Sequence, residues 1–188
     1  MISPGTTTQS ERRPGPVFLS HAAISERIAE LADSIDRDHA DRDLVLVPVL
    51  KGAAVFAADL SRALRVRHEL SCVALDGYVA ARPSGYPAIR LLLDVDVTVK
   101  SRDIVIVEDL VDTGMTLNYL ITTLGLHRPR SIRVCTLLDR AHCRLLADLP
   151  LHYVGFSVPD EDFVGYGMGR PRHLRHLPDL HRVAGGSA

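Results

Sequence analysis

The sequence carries little net charge, few cysteines and no long hydrophobic run. Its formal net charge is −1 over 188 residues, whereas nucleic-acid-binding domains are usually basic, so we expect no nucleic-acid partner. No apolar run approaches the roughly 20 residues of a membrane-spanning helix, so we expect no membrane span. Residues 1–16 lack the apolar core of a signal peptide. We expect them to form a disordered lead-in to a soluble, cytoplasmic protein.

The cysteines are odd in number and scattered along the chain: Cys72, Cys135 and Cys143. No Cys-x-x-Cys spacing occurs, which disfavours both a disulfide and a metal site. Cys72 and Cys135 lie in apolar, strand-like runs, so we expect them to be buried free thiols.

The hydrophobic pattern alternates between strand and helix. Continuous apolar runs predict strands that are covered on both faces. We predict strands at 44–50, 69–75, 89–95, 103–109, 131–139 and 151–158, and helices at 24–35, 53–64 and 115–126. Ser25 is a candidate N-cap of the first helix. The predicted fold class is α/β, with a mainly parallel twisted sheet flanked by helices. We expect one domain at 17–188, with its core at 40–158.

The segment VIVEDLVDTGMTL places carboxylates at the end of a predicted strand and a small polar loop before a predicted helix. Glu108 and Asp109 call for a metal ion or a ribose diol, because burying a charge without a partner costs several kcal/mol. Residues 112–116 offer the unpaired amides of a helix N-terminus, where an anion binds well. Together they predict a ribose 5-phosphate site. Alternatively, Asp112 or Thr113 merely caps the helix and the two acids are solvated.

This segment resembles the phosphoribosyl-pyrophosphate (PRPP) signature of type I phosphoribosyltransferases, in their hypoxanthine/guanine branch. Four further segments resemble that branch in the same order: LVPVLKGAAVFAADL, VCTLLDR, PDEDFVGYGM and RHLPDL. The similarity runs from residue 24 to residue 183 and includes a hood at 159–183. It implies transfer of phosphoribose from PRPP to hypoxanthine or guanine with Mg²⁺, releasing pyrophosphate. It also implies a homodimer or homotetramer.

The resemblance implies roles for the residues that bind PRPP. Glu108 and Asp109 would hold the ribose hydroxyls, directly or through Mg²⁺, and Asp112 would accept the proton of the purine N7. The 5-phosphate would contact Thr113, Gly114, Met115 and Thr116. The pyrophosphate would contact Lys51, Gly52 and Arg175, and we expect the Leu50–Lys51 peptide to be cis. The lid would be the loop at 77–88, where Tyr78 matches the family's tyrosine.

Departures from the family pattern fall on the base and metal side. The base-binding positions are occupied by Arg140, Asp162 and Phe163. Arg140 replaces the usual lysine, Asp162 stands in the place of the aromatic that stacks on the base, and Gly169 replaces an aspartate that helps hold a second Mg²⁺. A register shift would restore Phe163 as the stacking ring. The lid lacks the serine before its tyrosine. These changes leave open a different heterocyclic base, or a regulator that senses PRPP or nucleotides without turnover.

Overall fold

The computed structural model describes residues 14–76, 89–146, 148–169 and 174–183. Strands and helices alternate along most of the chain, as the hydrophobic pattern predicts. The strands are β1 Pro14–Leu19, β2 Leu44–Leu50, β3 His68–Leu70, β4 Val73–Asp76, β5 Arg90–Leu93, β6 Asp103–Val111, β7 Ser131–Asp139, β8 Tyr153–Ser157, β9 Phe163–Val164 and β10 Leu180–Val183. The helices are α1 His21–Asp38, α2 Ala54–Ala63 and α3 Met115–Gly125, with a 3₁₀ turn at Ala141–Cys143. Within the described residues, no helix is long and apolar enough to cross a membrane.

The main sheet has the order β5-β4-β2-β6-β7-β8, and β3 also pairs with β2. Its pairs are parallel except for β4 with β5. The central strands β2, β6 and β7 contain long runs of fully buried residues, because parallel sheets are covered on both faces. The predicted mainly parallel α/β fold is confirmed.

Two hydrophobic cores cover the two faces of the main sheet. Successive side chains of a strand point to opposite faces, so Leu46 packs with α1 and α2 while its neighbour Val47 packs with α3. On α1 the buried residues recur at helical spacing, at Ile24, Ile28, Leu31 and Ile35. The helices therefore flank the sheet on both sides.

The N-cap of α1 is Ser20, not the predicted Ser25. The Ser20 side chain accepts a hydrogen bond from the amide of Ala23 at 3.2 Å. Ser25 lies inside the helix, where its hydroxyl donates to the carbonyl of His21 at 2.8 Å. The helix begins earlier than its apolar pattern because its first turn is exposed and carries no core residue.

The predicted strand at 69–75 is interrupted, which corrects the sequence-based prediction. β3 and β4 both pair in parallel with β2, and Ser71 and Cys72 between them belong to neither strand. The Ser71 amide donates to the carbonyl of Leu46, and its hydroxyl donates to Asp96 at 2.6 Å. Cys72 is only partly buried, whereas Cys135 is buried as predicted. The lid at 77–88, including Tyr78, lies outside the described residues.

A second, three-stranded sheet forms the hood, in the order β1-β10-β9. One prediction is corrected here: Pro14–Pro16 belong to a strand, not to a disordered lead-in. β1 pairs antiparallel with β10, more than 150 residues away in sequence. The local sequence of β1, with its two prolines and a glycine, does not predict a strand; the pairing stabilises it.

Asp103 anchors the start of β6, the strand that carries the site at its other end. Its carboxylate accepts from Arg130 at 2.9 and 2.5 Å and from the Ser131 hydroxyl at 2.6 Å. Buried His39 lies 3.6 Å away. The Arg130 guanidinium holds the pKa of Asp103 down at about 2, against an ordinary value of 3.8.

We expect Asp103→Asn to lower the free energy of unfolding by about 2 kcal/mol at neutral pH, from the size of this pKa shift. A lowered carboxyl pKa gives stability that is present above the ordinary pKa and lost as pH falls through the folded-state pKa. The difference between wild type and variant should therefore vanish as pH falls from 3.8 toward about 2. Urea unfolding across pH measures it. The exposed Asp33→Asn is the control; an equal loss in both variants would contradict a buried anchor.

Candidate active site

The carboxyl ends of three neighbouring strands bring the predicted site residues to one edge of the main sheet. The register pairs Pro48 of β2 with Val107 of β6, and Val111 of β6 with Asp139 of β7. Lys51 follows β2, the acidic pair lies in the last part of β6, and Arg140 follows β7. Ligands of parallel α/β sheets bind at this edge.

Glu108 and Asp109 lie within β6, which runs two residues beyond its predicted end to Val111. Glu108 is 6% exposed. Burial raises the pKa of Glu108 well above its ordinary value, and the neighbouring charge of Asp109 adds to the rise. Burial also raises the pKa of Asp109, against the opposing effect of backbone amides and Arg175. The alternative that the two acids are solvated turn residues is therefore wrong.

The loop after β2 packs directly against the acidic pair. The Leu50–Lys51 peptide is cis, as predicted. A side chain at Gly52 would place its Cβ 1.9 Å from Oδ2 of Asp109. Only glycine therefore lets the loop backbone approach this carboxylate so closely. Lys51 itself is exposed at the rim of the site.

The loop after β6 forms a small anion-sized cavity at the start of α3. Gly114 has φ +85° and precedes the helix, with no side chain capping it. Thr113 Oγ1 lies 3.5 Å from the Met115 amide, at the limit of a hydrogen bond. A cavity of about 90 Å³ is lined by Glu108, Leu110, Val111, Asp112, Thr113, Gly114, Thr116 and Leu117. Among the described residues no side chain caps the N-terminus of α3, which is against the alternative that Asp112 or Thr113 merely caps the helix, and this leaves first-turn amides available to a ligand.

Arg140 joins the loop after β6 to the start of the hood. It is 7% exposed, and its Nη2 donates to the carbonyl of Glu161 at 2.5 Å. Its Nη1 lies 3.4 Å from Oδ2 of Asp112 and 3.6 Å from Oδ1 of Asp160. Asp112 has a side chain that is 48% exposed. The guanidinium thus spans the position expected for the base, between the candidate catalytic acid and the hood.

Phe163 does not face the site. It is 6% exposed, and its ring stacks on Phe18 of β1 with 4.7 Å between centroids. Its place in β9, paired with Arg182, fixes it in the core of the hood. Asp162 is exposed, and its carbonyl accepts from the Val183 amide. The register shift that would make Phe163 the stacking ring is absent, because hydrophobic burial against β1 holds this ring inside.

Arg175 reaches the acidic pair from the hood. Its charge lowers the pKa of Asp109. Two of its guanidinium nitrogens, Nε and Nη1, are buried and make no hydrogen bond within the described part of the chain. Its carbonyl accepts from the Gly167 amide at 2.8 Å. Buried donors without acceptors are costly, so an anionic ligand between the hood and β6 would satisfy them.

Two functional features of the hood escaped the sequence analysis. A Cβ at Gly167, which has φ +86°, would lie 2.6 Å from the carbonyl oxygen of Gly52, so this glycine lets the hood pack against the loop after β2. The Tyr166 hydroxyl donates to Asp59 of α2 at 2.5 Å. The glycine-rich run GYGMG is the sequence signal that indicates the close approach at Gly167. Gly169 has φ +99° and a Cβ there would lie 2.4 Å from the carbonyl of Phe163, which explains glycine at this position.

We expect Glu108→Gln to raise the melting temperature near pH 8. A raised carboxyl pKa means that ionised Glu108 lowers stability above its ordinary pKa, increasingly as pH rises. The amide removes this penalty, so the gain should shrink toward zero as pH falls to about 4, where both states of the wild type are protonated. Each kcal/mol gained shifts the midpoint by about 2–4 °C in a domain of this size. Thermal unfolding with the exposed Glu26→Gln as control measures it; a destabilised Glu108→Gln at pH 8 would refute the argument.

Comparisons with known proteins agree with this geometry. A family model described as the phosphoribosyl transferase domain matches residues 18–168. The chain is 39% identical over 169 residues to hypoxanthine phosphoribosyltransferase of Salmonella typhimurium, covering 89% of this chain and 94% of that protein. It is 39% identical over 188 residues to hypoxanthine-guanine phosphoribosyltransferase of Mycobacterium tuberculosis, covering 94% and 90%.

A solved structure shows the same likeness in three dimensions. The crystal structure of a hypoxanthine-guanine phosphoribosyltransferase from Bacillus anthracis matches with a TM-score of 0.83 and 34% identity, covering 91% of this chain and 99% of that one. The family model, the curated relatives and the solved structure thus agree over nearly the whole chain. The chain belongs to the type I phosphoribosyltransferase family, in its hypoxanthine/guanine branch.

Proposed function

We propose that this protein transfers the 5-phosphoribosyl group of PRPP to a purine base, hypoxanthine or guanine, in purine salvage. The observation that carries the proposal is the adjacent carboxylates of the buried Glu108 and the half-buried Asp109, beside a small polar cavity and the two buried guanidinium nitrogens of Arg175. A ribose diol flanked by two phosphate groups has the complementary chemistry on each side. The family membership supports the same reaction.

Glu108 and Asp109 would bind the ribose hydroxyls of the donor. Ionised carboxylates accept hydrogen bonds from both hydroxyls, and these bonds would offset the burial that raises both pKa values. Mg²⁺ fits the same residues, because it prefers carboxylate oxygens and keeps several waters. When bound, Mg²⁺ would add positive charge near the donor oxygens; the carboxylates orient the ribose in either case.

The pyrophosphate of the donor would lie between the cis peptide loop and the hood. Gly52 brings the loop backbone close to Asp109, and Gly167 rests on that loop from above. Arg175 supplies buried donors on the hood side, and Lys51 supplies a mobile positive charge at the rim. Negative charge accumulates on pyrophosphate as the bond to the ribose carbon breaks, so these donors stabilise the leaving group.

The 5-phosphate would sit in the cavity at the start of α3. Its oxygens would accept from the loop amides and from the hydroxyls of Thr113 and Thr116, and the positive end of the α3 dipole faces the same place. Gly114 and Met115 contribute backbone only. The phosphate thus fixes the ribose from one side while the acidic pair fixes it from the other, which holds the reacting carbon in place.

Asp112 would accept the N7 proton of the purine as the new bond forms. Its side chain is half-exposed at the loop's edge, where an incoming base can reach it. Arg140 is the candidate donor to the exocyclic oxygen of the base, and its Nε is buried without a partner among the described residues. The hood position that carries Asp162 offers a carboxylate in place of a stacking ring. This exchange favours a changed base preference as the second candidate function.

The test is pyrophosphate release by the purified protein with PRPP, Mg²⁺ and a panel of bases. Turnover of hypoxanthine or guanine is expected. Turnover of only another heterocycle would move the reaction to the second candidate, and binding of PRPP with no turnover of any base would overturn catalysis. The lid role of Tyr78, a homodimeric or homotetrameric assembly and a cytoplasmic location stay predictions of the sequence.

Asp112→Asn should lower kcat by about 10²–10⁴-fold, the usual contribution of a positioned base. The dissociation constant of PRPP should change little, because the proton moves only in the chemical step. Steady-state kinetics and calorimetry separate the two effects. Asp94→Asn, an exposed carboxylate outside the site, is the control. Equal losses in turnover and in PRPP affinity would show that Asp112 is a ligand of the donor rather than its base.

A further inference from the structure

Beside the base position lies a group of metal-ligating side chains that the proposed reaction does not use. His142 and Cys143 belong to the 3₁₀ turn after β7, and Asp160 follows β8. Their ligand atoms all lie within 4.8 Å of one another. The two turns are held side by side because the Val158 amide donates to the carbonyl of Asp139 at 2.9 Å. The cluster is therefore built by the sheet, although it lies in separate loops.

The chemistry of the three ligands selects a particular class of ion. An imidazole, a thiolate and a carboxylate together match Zn²⁺ or Co²⁺, whereas Mg²⁺ prefers oxygen ligands alone. Zinc–ligand bonds of about 2.0–2.3 Å in a tetrahedron separate the ligands by roughly 3.3–3.8 Å. His142 and Asp160 are exposed and Cys143 is partly buried, so side-chain rotation can close the difference. A fourth position is left for water, as in open zinc sites.

The cluster is linked to the candidate catalytic acid, Asp112, through Arg140. Arg140 contacts both Asp112 and Asp160. The contact with Asp160, whose side chain is 69% exposed, is long at 3.6 Å. Water around the exposed Asp160 screens this long contact with the buried Arg140, so Asp160 can turn toward a metal.

We propose that His142, Cys143 and Asp160 bind one divalent ion of the zinc class at the rim of the base pocket, and that the bound ion regulates the base side of the site. Binding displaces the thiol proton of Cys143 to solvent and leaves a thiolate on the metal. Arg140 then loses its contact with Asp160 and keeps only Asp112 as its acidic partner among these two. Occupancy therefore changes how the base is held while the donor's carboxylates and phosphate loop are untouched.

Co²⁺ titration of the full chain tests the site directly. We expect one Co²⁺ per chain with a thiolate-to-metal charge-transfer absorption, and displacement of that ion by Zn²⁺. Cys143→Ser should abolish the absorption. His142→Ala and Asp160→Asn should each weaken the affinity for Co²⁺ at least about tenfold. Even mutation of a residue that hydrogen-bonds to a metal ligand lowers metal affinity by about 10–100-fold. Cys72→Ser, a partly buried thiol elsewhere, is the matched control and should bind as wild type does. Circular dichroism confirms that each variant is folded.

Absence of the absorption in the wild type, or its persistence in Cys143→Ser, would overturn the proposal. A second readout concerns regulation, and this part alone rests on the proposed function. Zn²⁺ should raise the apparent KM for the base severalfold without changing the dissociation constant of PRPP, and a chelator should reverse the effect. In Cys143→Ser the metal sensitivity should be lost. Inhibition of equal size in wild type and Cys143→Ser would refute regulation through this cluster, whichever base is used.

Discussion

The structure depends on two adjacent carboxylates at the end of its central strand, the buried Glu108 and the half-buried Asp109. Removing a carboxylate from water is expensive, and among the described residues no cationic side chain lowers the pKa of Glu108. The fold accepts this cost at one place, in the middle of the sheet, where β2 and β7 wall in the end of β6 on both sides. Carboxyl groups with raised pKa values at such a point are typical of a functional site.

The remaining parts of the site are arranged around that pair. Because Gly52 has no side chain, the loop after β2 packs closely against Asp109. Because Gly167 has none, the hood packs closely against that loop. Arg175 then reaches the acids with two buried nitrogens that lack acceptors in the described part of the chain. Carboxylates beside guanidinium nitrogens without acceptors match the proposed ligand, which has both hydroxyls and phosphates.

Local sequence patterns predict most of the main sheet and the place where the acids of β6 meet the start of α3. β2 and β7 have their predicted bounds, because continuous apolar runs of that length signal strands covered on both faces. The segment VIVEDLVDTGMTL predicts both the carboxylates at the end of a buried strand and the helix N-terminus beside them. These features depend on neighbours in sequence, which a linear pattern records.

The features that the sequence concealed depend on distant partners. β1 is a strand only because β10 pairs with it, and Phe163 faces inward only because Phe18 meets it there. The break at Ser71 reflects bonds to Leu46 and Asp96. Likewise, β7 and β8 bring Cys143 and Asp160 close together although they are separated in sequence. Spacing rules do not record side chains that meet from separate loops.

Proton release on donor binding tests the central claim most directly. If the raised pKa values mark carboxylates that ionise to hold the ribose, then PRPP with Mg²⁺ must expel protons from them. Calorimetry in buffers of different ionisation enthalpy counts those protons. Between about pH 5 and 7, wild type should release more protons than Glu108→Gln when both are saturated. Equal release by the two proteins, or no binding heat from wild type, would contradict the account.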